Sequence, residues 1–154
     1  DLSAKVGETV HLAELDNGQV LYVDKRNPAS PIEMYSQAGK VGPAYCTGVG
    51  KAMMAFLDES ELNKVISKQA FHKYTEHTIT SAKALKKELA TIKKEGISFD
   101  RQEHEEKIIC ISSPILTTNG KVIGGLSITS SVDIHSLKSL EKFKPNFILV
   151  GTAP

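Results

Sequence analysis

Cysteine is scarce in this sequence, with only Cys46 and Cys110 among 154 residues. Two thiols so far apart make neither a disulfide framework nor a zinc site. Tryptophan is absent, and aromatic residues make up 6% of the chain. We therefore expect neither a platform for stacking sugars nor a surface for stacking nucleic-acid bases.

An excess of one charge and long apolar runs are also lacking. The 19 basic and 18 acidic residues leave a formal net charge of +1, whereas nucleic-acid surfaces need clustered positive charge. The densest basic stretch, residues 86–94, is diluted by Glu88 and is typical of a solvated helix face. No apolar run approaches the roughly 20 residues of a membrane-spanning helix, and no secretory leader is visible. The sequence therefore predicts a cytoplasmic domain without membrane contact that does not itself bind DNA.

Two hairpins are predicted, one near each end of the chain. Residues 8–15 alternate polar and apolar side chains, and residues 19–24 follow after Asp16-Asn17-Gly18, which tolerates the backbone of a tight turn. Residues 107–115 and 121–129 form a second strand pair around a turn rich in Thr, Asn and Gly. A further strand is predicted for Ile32–Tyr35.

Three helices are predicted between the hairpins. They begin near Gly48, at Asp58 and at Ser81, the second with capping-box spacing and the third ending before Gly96. Hairpins at both ends with helices between them favour an α+β domain with an antiparallel sheet. The length suits a single domain over residues 1–154.

The segment Thr47–Lys51 is a candidate anion site. Glycines at a helix start leave peptide N–H groups free to bind a carboxylate or phosphate, although they also serve simply to begin a helix. The segment is not a nucleotide-binding P-loop, because Tyr45 stands where the first glycine belongs and Ala52 where the Ser or Thr hydroxyl belongs. We therefore exclude nucleotide hydrolysis.

Acidic residues follow the largely apolar segment 97–99. Asp100 could bind a ligand hydroxyl, and residues 103–106, with His104 among three glutamates, could bind a metal ion. A solvated loop is the alternative, and we expect it for Glu103, Glu105 and Glu106. Asp100 therefore remains a ligand-binding candidate, and no metal site is predicted.

Small polar side chains share faces of the second hairpin. Cys110 and Ser112 lie two residues apart on one strand, and Ser127 and Thr129 lie two apart on the other. If the two faces meet, they form a polar patch whose hydroxyls a ligand can satisfy. Otherwise Ser127 and Thr129 are surface residues compatible with a strand.

Nucleophilic catalysis would need a cysteine beside a histidine. Cys110 with His104, or Cys46 with His11, would provide such a pair if the two were close in space. A buried thiol more often behaves as a small apolar group. We expect no catalysis and keep a cysteine-dependent enzyme as the alternative.

Eight segments, in order across nearly the whole chain, resemble the effector-binding domain of IclR-type bacterial transcription regulators. They are residues 7–13, 20–25, 45–52, 78–80, 88–92, 96–100, 103–114 and 120–129. The resemblance implies a GAF-like (profilin-like) fold, in which helices flank a curved antiparallel sheet with a ligand pocket on one face. It also implies a pocket for small organic acids without a cofactor.

The resemblance further implies a set of ligand-binding residues. The Gly48 and Val49 amides would hold a carboxylate, and the remaining pocket positions fall on Asp100, Cys110, Ser127 and Thr129. We therefore expect a sensor of a 2-oxo acid or sugar acid, assembled as a homodimer or homotetramer. It would act on operator DNA only through a separate N-terminal domain. A module that only oligomerises is the other alternative.

The two ends depart from the family pattern. The upstream winged helix-turn-helix is absent from this sequence, so residues 1–6 are expected to be the end of a linker helix. Family members usually end in a long amphipathic helix, but Lys144-Pro145 interrupts the helical pattern and Phe147–Val150 is typical of a strand. We therefore expect residues 144–154 to be atypical or truncated.

Overall fold

The computed structural model describes residues 1–29, 34 and 36–151, with side chains as far as Phe147. Within these residues one antiparallel sheet of six strands has the order β3-β2-β1-β6-β5-β4. The strands are β1 (Thr9–Asp16), β2 (Gln19–Arg26), β3 (Val41–Pro43), β4 (Ser98–Arg101), β5 (Ile108–Leu116) and β6 (Val122–Ser131). The sheet curls into a half-barrel flanked by helices, which confirms the predicted α+β, GAF-like fold class.

The three helices predicted between the hairpins are present in the predicted order, and further short helices lie near the C-terminus. They are α1 (Leu2–Val6), α2 (Gly48–Met54), α3 (Glu59–Ser67), α4 (Ala82–Glu95), α5 (Leu137–Leu140), a 3₁₀ turn (Glu141–Phe143) and α6 (Lys144–Gly151). No helix in the described ranges is long and apolar enough to cross a membrane.

Both predicted hairpins are confirmed. In the β1–β2 turn, Asn17 and Gly18 adopt φ values of 51° and 82°, the left-handed conformations that Asn and Gly tolerate best. The β5–β6 hairpin lies beside the first one, because β1 pairs with β6 in a register that sets Val10 against Ile128. The first and last described strands therefore form the centre of the sheet.

Two short strands were not predicted. β4 has four residues and pairs with β5, with Asp100 opposite Cys110. β3 has three residues that include Gly42 and Pro43, which are typical of a loop, and it lies at the sheet edge where proline is tolerated. Neither strand is long enough to show an alternating pattern in the sequence.

Local capping signals explain the helices on the inner side of the sheet. The Asp58 carboxylate accepts a hydrogen bond from the Glu61 N–H at 2.8 Å, and the Ser81 hydroxyl accepts one from the Ala84 N–H at 3.1 Å. Both bonds satisfy amides that a helix start leaves unpaired. Gly96 ends α4 with φ of 77°, as predicted.

Two apolar clusters lie on opposite faces of the sheet. The inner cluster joins α2, α3 and α4 to β1 and β2, and its largest fully buried side chains include Val20, Met53, Met54 and Leu85. The outer cluster packs α5, the 3₁₀ turn and α6 onto β5 and β6, and includes Ile109, Ile111, Ile128, Leu140, Phe143 and Phe147. The start of α2 is held close to the inner face by the first cluster.

The strand predicted for Phe147–Val150 is wrong, because residues 144–151 form helix α6. Pro145 is the second residue of that helix, where its missing N–H would have no intrahelical acceptor. Phe147 is 2% exposed and packs in the outer cluster. The strand predicted for Ile32–Tyr35 lies, apart from Met34, outside the described residues.

Candidate ligand-binding site

A cavity lies between the inner face of the sheet and the first turn of α2. All six predicted site residues line it: Gly48, Val49, Asp100, Cys110, Ser127 and Thr129. The cavity, including the part that is open to solvent, has a volume of about 390 Å³, near the lower end for ligand pockets. The cavity is therefore narrow, and a small molecule suits it best.

Strand register brings the predicted wall residues together. Asp100 on β4 stands opposite Cys110 on β5, and Cys110 stands opposite Thr129 on β6. On β1, His11 stands opposite Ser127. Because side chains two residues apart point to the same face, these residues form one polar wall that spans four strands.

The start of α2 requires its glycines because the surrounding atoms leave no space for a Cβ atom at these positions. A Cβ atom on Gly48 would lie 2.7 Å from Ser112 Oγ, and one on Gly50 would lie 2.4 Å from the Ala44 carbonyl oxygen. Thr47 caps the helix, since its hydroxyl accepts a hydrogen bond from the Gly50 N–H at 3.3 Å. The helix therefore approaches the sheet closely, with the Gly48 and Val49 backbone at the cavity wall.

Asp100 is the buried acid of the cavity, with 4% of the residue exposed. Its Oδ1 accepts a hydrogen bond from the Glu103 N–H at 2.8 Å, and its Oδ2 lies 3.9 Å from the Cys110 sulfur. Burial, reinforced by the nearby Glu103 carboxylate, raises the pKa of Asp100 well above its usual value. The surroundings of Asp100 therefore favour its protonated form, which can donate a hydrogen bond.

A chain of hydrogen bonds crosses the wall through His11, which the sequence did not indicate as a cavity residue. Its Nε2 lies 2.6 Å from the Ser36 hydroxyl, and its Nδ1 lies 3.3 Å from the Thr129 hydroxyl. The Thr129 hydroxyl in turn lies 3.2 Å from the Cys110 sulfur. Burial, with a smaller effect of Lys25, lowers the pKa of His11 to about 4, so the imidazole is neutral at pH 7.

Lys51 is fully buried behind the cavity and fixes the turn that carries Asp100. Its ammonium group donates at 2.8 Å to Glu88 Oε2, to Glu103 Oε2 and to the Phe99 carbonyl. Burial opposes the charge, but the two carboxylates outweigh it and hold the pKa of Lys51 above its usual value. The solvated loop expected for Glu103 is wrong because Lys51 pairs with it in the interior, whereas Glu106 is exposed as expected.

Further lining residues were not predicted as members of the site. Tyr22 contributes an aromatic ring whose centroid lies 5.2 Å from that of His11. Thr47 belongs to the segment predicted as an anion site, and the other unpredicted lining residues are Met34, Ser36, His104, Glu105 and Ile108. The alternation of β2 places Tyr22 on the same face as the buried Val20, so this signal could have identified Tyr22 as a candidate. His11 lies between the apolar Val10 and Leu12, so alternation alone assigns it to the polar face.

Comparisons with known proteins identify the family of this chain. Residues 1–147 match the family described as bacterial transcriptional regulator IclR C-terminal. The chain belongs to the IclR family. It is 36% identical over 143 residues to the HTH-type transcriptional regulator KdgR of Escherichia coli, covering 93% of this chain and 54% of that protein. The IclR-family chain thus spans about half the length of the curated relatives that it matches.

Solved IclR-family structures have the same fold. The crystal structure of the C-terminal domain of E. coli KdgR matches with a TM-score of 0.85 and 31% identity, over 97% of this chain and 87% of that one. The structure of Thermotoga maritima IclR matches with a TM-score of 0.89 and 32% identity, over 96% of this chain and 60% of that one.

The chemistry of the thiols in this IclR-family domain does not favour nucleophilic catalysis. Cys46 and Cys110 are both buried, and burial raises the pKa of each thiol, which suppresses the reactive thiolate. Both ring nitrogens of His11 are engaged by hydroxyl groups. In the part of the chain that the structure describes, no cluster of His, Cys, Asp and Glu side chains suits a metal ion.

Proposed function

We propose that this IclR-family domain binds a small carboxylate, a 2-oxo acid or sugar acid, in the cavity. The observation that carries the proposal is the convergence of six residues, predicted from separate segments, on one narrow buried space. The Gly48 and Val49 amides would donate to the ligand carboxylate at one end. The hydroxyls of Ser127 and Thr129, with Cys110, would contact its carbonyl or hydroxyl groups at the other. Asp100, whose backbone lies beside Gly48, would face the ligand carboxylate.

Polar complementarity supports this ligand class. A buried cavity lined by hydroxyl, thiol and carboxyl groups favours a ligand that satisfies their hydrogen bonds. The narrow space favours a few heavy atoms over a large metabolite. The domain would sense the ligand without transforming it, since its buried thiols are protonated and no other described group of the wall is an activated nucleophile.

The signal would reach DNA through the remainder of a longer protein. The relatives are named as transcriptional regulators and are about twice as long as this chain. In a cytoplasmic homodimer or homotetramer, the ligand would favour one arrangement of subunits over another and so change operator affinity. The change can be no larger than the ligand's differential affinity for the two arrangements.

A thermal-shift screen tests the ligand class. A ligand that binds only the folded state raises its apparent stability in proportion to the logarithm of ligand concentration over Kd. We expect pyruvate or gluconate, as representatives of the two acid classes, to raise the Tm. Absence of a shift with either acid would count against the carboxylate class and favour a module that only oligomerises.

Variants of the wall locate the binding site. Ser127→Ala and Thr129→Ala should each reduce the shift, because each removes a hydroxyl of the cavity. Thr129→Ser keeps the hydroxyl and should restore the shift. Ser60→Ala, on an exposed position of α3, is the matched control and should respond to ligand like the unaltered domain. A full shift in both alanine variants would move the site elsewhere.

A further inference from the structure

Among the described residues, the wall of the cavity holds carboxyl groups but no Lys or Arg side chain. Asp100 and Glu105 line the cavity, and none of its described lining residues is Lys or Arg. A ligand carboxylate in the cavity would therefore lie close to the buried carboxyl group of Asp100.

Two of the basic groups near the cavity are balanced by carboxylates. Lys51 donates to Glu88, Glu103 and a carbonyl oxygen, and Arg101 donates to Glu88 at 3.1 Å. Lys25 donates to the neutral Ser36 carbonyl at 2.8 Å, and its charge acts on His11 and Glu105. None of these three cations is a described lining residue of the cavity.

Imidazole groups do not replace the missing cation. Burial lowers the pKa of His11 and of His104, which both line the cavity. His11 is in addition bound through both ring nitrogens to hydroxyl groups. At neutral pH the two imidazoles therefore add no positive charge to the wall.

A proton on Asp100 can offset the negative charge that a ligand carboxylate brings next to this residue. Oδ1 already accepts the Glu103 N–H, whereas the described partner of Oδ2 is the Cys110 sulfur at 3.9 Å, a long contact for a hydrogen bond. Oδ2 is therefore the oxygen that can carry a proton and donate it. Titratable and charged groups surround Asp100 from every packed element. They are His11 of β1 across the cavity, Tyr22 of β2, Cys46 and Lys51 before and within α2, Glu103, His104 and Glu105 after β4, and Cys110 of β5. Lys25 of β2 acts on His11 and Glu105.

We propose that the cavity holds a carboxylate ligand through one proton shared with Asp100, so that the acid and the ligand together carry a single negative charge. This proposal rests on the function proposed above. Asp100 Oδ2 donates this proton in a hydrogen bond to a carboxylate oxygen of the ligand. The bond to the shared proton is the only covalent bond that can change. Two ionised carboxylates in contact in a buried site would repel each other, and the pair avoids this cost by retaining one proton.

The shared proton makes affinity depend on pH in one direction. Below the pKa of Asp100 in the free domain, the proton is already present and the affinity is constant. Above that pKa, each ligand must bring one proton from solvent, so the affinity falls roughly tenfold per pH unit. Pyruvate stays ionised throughout, so its own titration does not contribute.

Titration calorimetry with pyruvate and gluconate, between about pH 6 and about pH 9.5, measures this dependence. In alkaline buffers of different ionisation enthalpy, the observed heat should report uptake of one proton per ligand. Asp100→Asn keeps the shape and offers an amide N–H in place of the acid proton. It should bind with an affinity that no longer varies with pH. Asp133→Asn, on an exposed position after β6, is the matched control and should follow the unaltered domain.

A readout without ligand separates this proposal from the proposed function. The infrared carbonyl band of a protonated carboxylic acid should be present at neutral pH and missing in Asp100→Asn. Acid binding with an affinity independent of pH overturns the shared proton but leaves the proposed function intact. Failure of both acids to bind at any pH removes the carboxylate class and the shared proton with it. Absence of the infrared band likewise overturns the assignment of the proton to Asp100.

Discussion

Lys51 Nζ and Glu103 Oε2 lie 2.8 Å apart in the interior, and the Lys51 side chain has no exposed surface. Both residues come from segments that contribute to the cavity, α2 and the turn after β4. Glu103 Oε2 also accepts the Arg101 N–H at 3.0 Å, and the Glu103 N–H holds Asp100. The ion pair therefore joins the helix of the cavity to the turn that positions its buried acid.

Lys51→Met should destabilise the domain strongly. Removal of one partner leaves the Glu103 charge buried without compensation, which typically costs about 3–5 kcal/mol. Chemical denaturation measures the free energy of unfolding. Lys51→Met combined with Glu103→Gln should recover part of the loss, because the uncompensated charge is gone. A double variant no more stable than Lys51→Met would show that the ion pair is not the origin of the effect.

His11 should make stability fall as the solution becomes acidic. Its folded pKa of about 4 lies below its usual value of 6.5, so the unfolded chain binds a proton in this window and the folded domain does not. The stability is therefore complete above about pH 6.5 and is lost as the pH falls toward 4. Between pH 7 and pH 5 the loss should be about 2 kcal/mol.

The measurement is the free energy of unfolding at pH 7 and at pH 5. His11→Gln cannot titrate and should lose about 2 kcal/mol less than the unaltered domain over this interval. His77→Gln, at an exposed position, is the matched control and should retain the full dependence. Equal losses in the His11 and His77 variants would refute the assignment.

Asp100→Asn should stabilise the ligand-free domain. The folded pKa of Asp100 is raised, so its favourable contribution is present below the unfolded pKa and is lost as pH rises through the folded value. The neutral amide avoids this loss while it keeps the acceptor for the Glu103 N–H. The gain should increase from pH 5 to pH 8 and exceed about 1 kcal/mol at neutral pH. A loss of stability at pH 8 would contradict the buried-acid interpretation.

Gly48→Ala should weaken ligand binding and destabilise the domain by about 1–3 kcal/mol, the usual cost of overpacking. The added Cβ would lie 2.7 Å from Ser112 Oγ, so the helix start must shift away from the sheet. Ser112→Ala removes that oxygen, which has no described hydrogen-bond partner, and should relieve much of the effect in the double variant. Comparison of Tm and ligand affinity in the three variants tests this relation.

Local signals account for the parts of the fold that the sequence predicted. Asn17-Gly18 is sufficient for a tight turn, and Asp58 and Ser81 satisfy amides within three residues of themselves. These interactions depend only on neighbouring residues. β4 and α6 were not predicted because pairing with β5 and burial of Phe147 against the sheet are tertiary effects.

The only site residues predicted from the sequence were those covered by the family resemblance or by strand alternation. The pairing of Lys51 with Glu103 joins residues 52 positions apart, and no local signal reveals it. For the same reason Glu103 was predicted to be solvated. His11 lies opposite Ser127 only because β1 and β6 are neighbours in the sheet, a relation that neither hairpin contains by itself.

The adjacency of β1 and β6 also determines the order in which the domain can assemble. His11 and Thr129, which meet across this strand pair, are 118 residues apart, so the junction is of high contact order and should form slowly. During synthesis the β1–β2 hairpin is complete long before β6 leaves the ribosome. Until then the edge of β1 is unpaired and can associate with strands of other chains. The nascent domain therefore passes through an aggregation-prone interval that ends when the second hairpin docks.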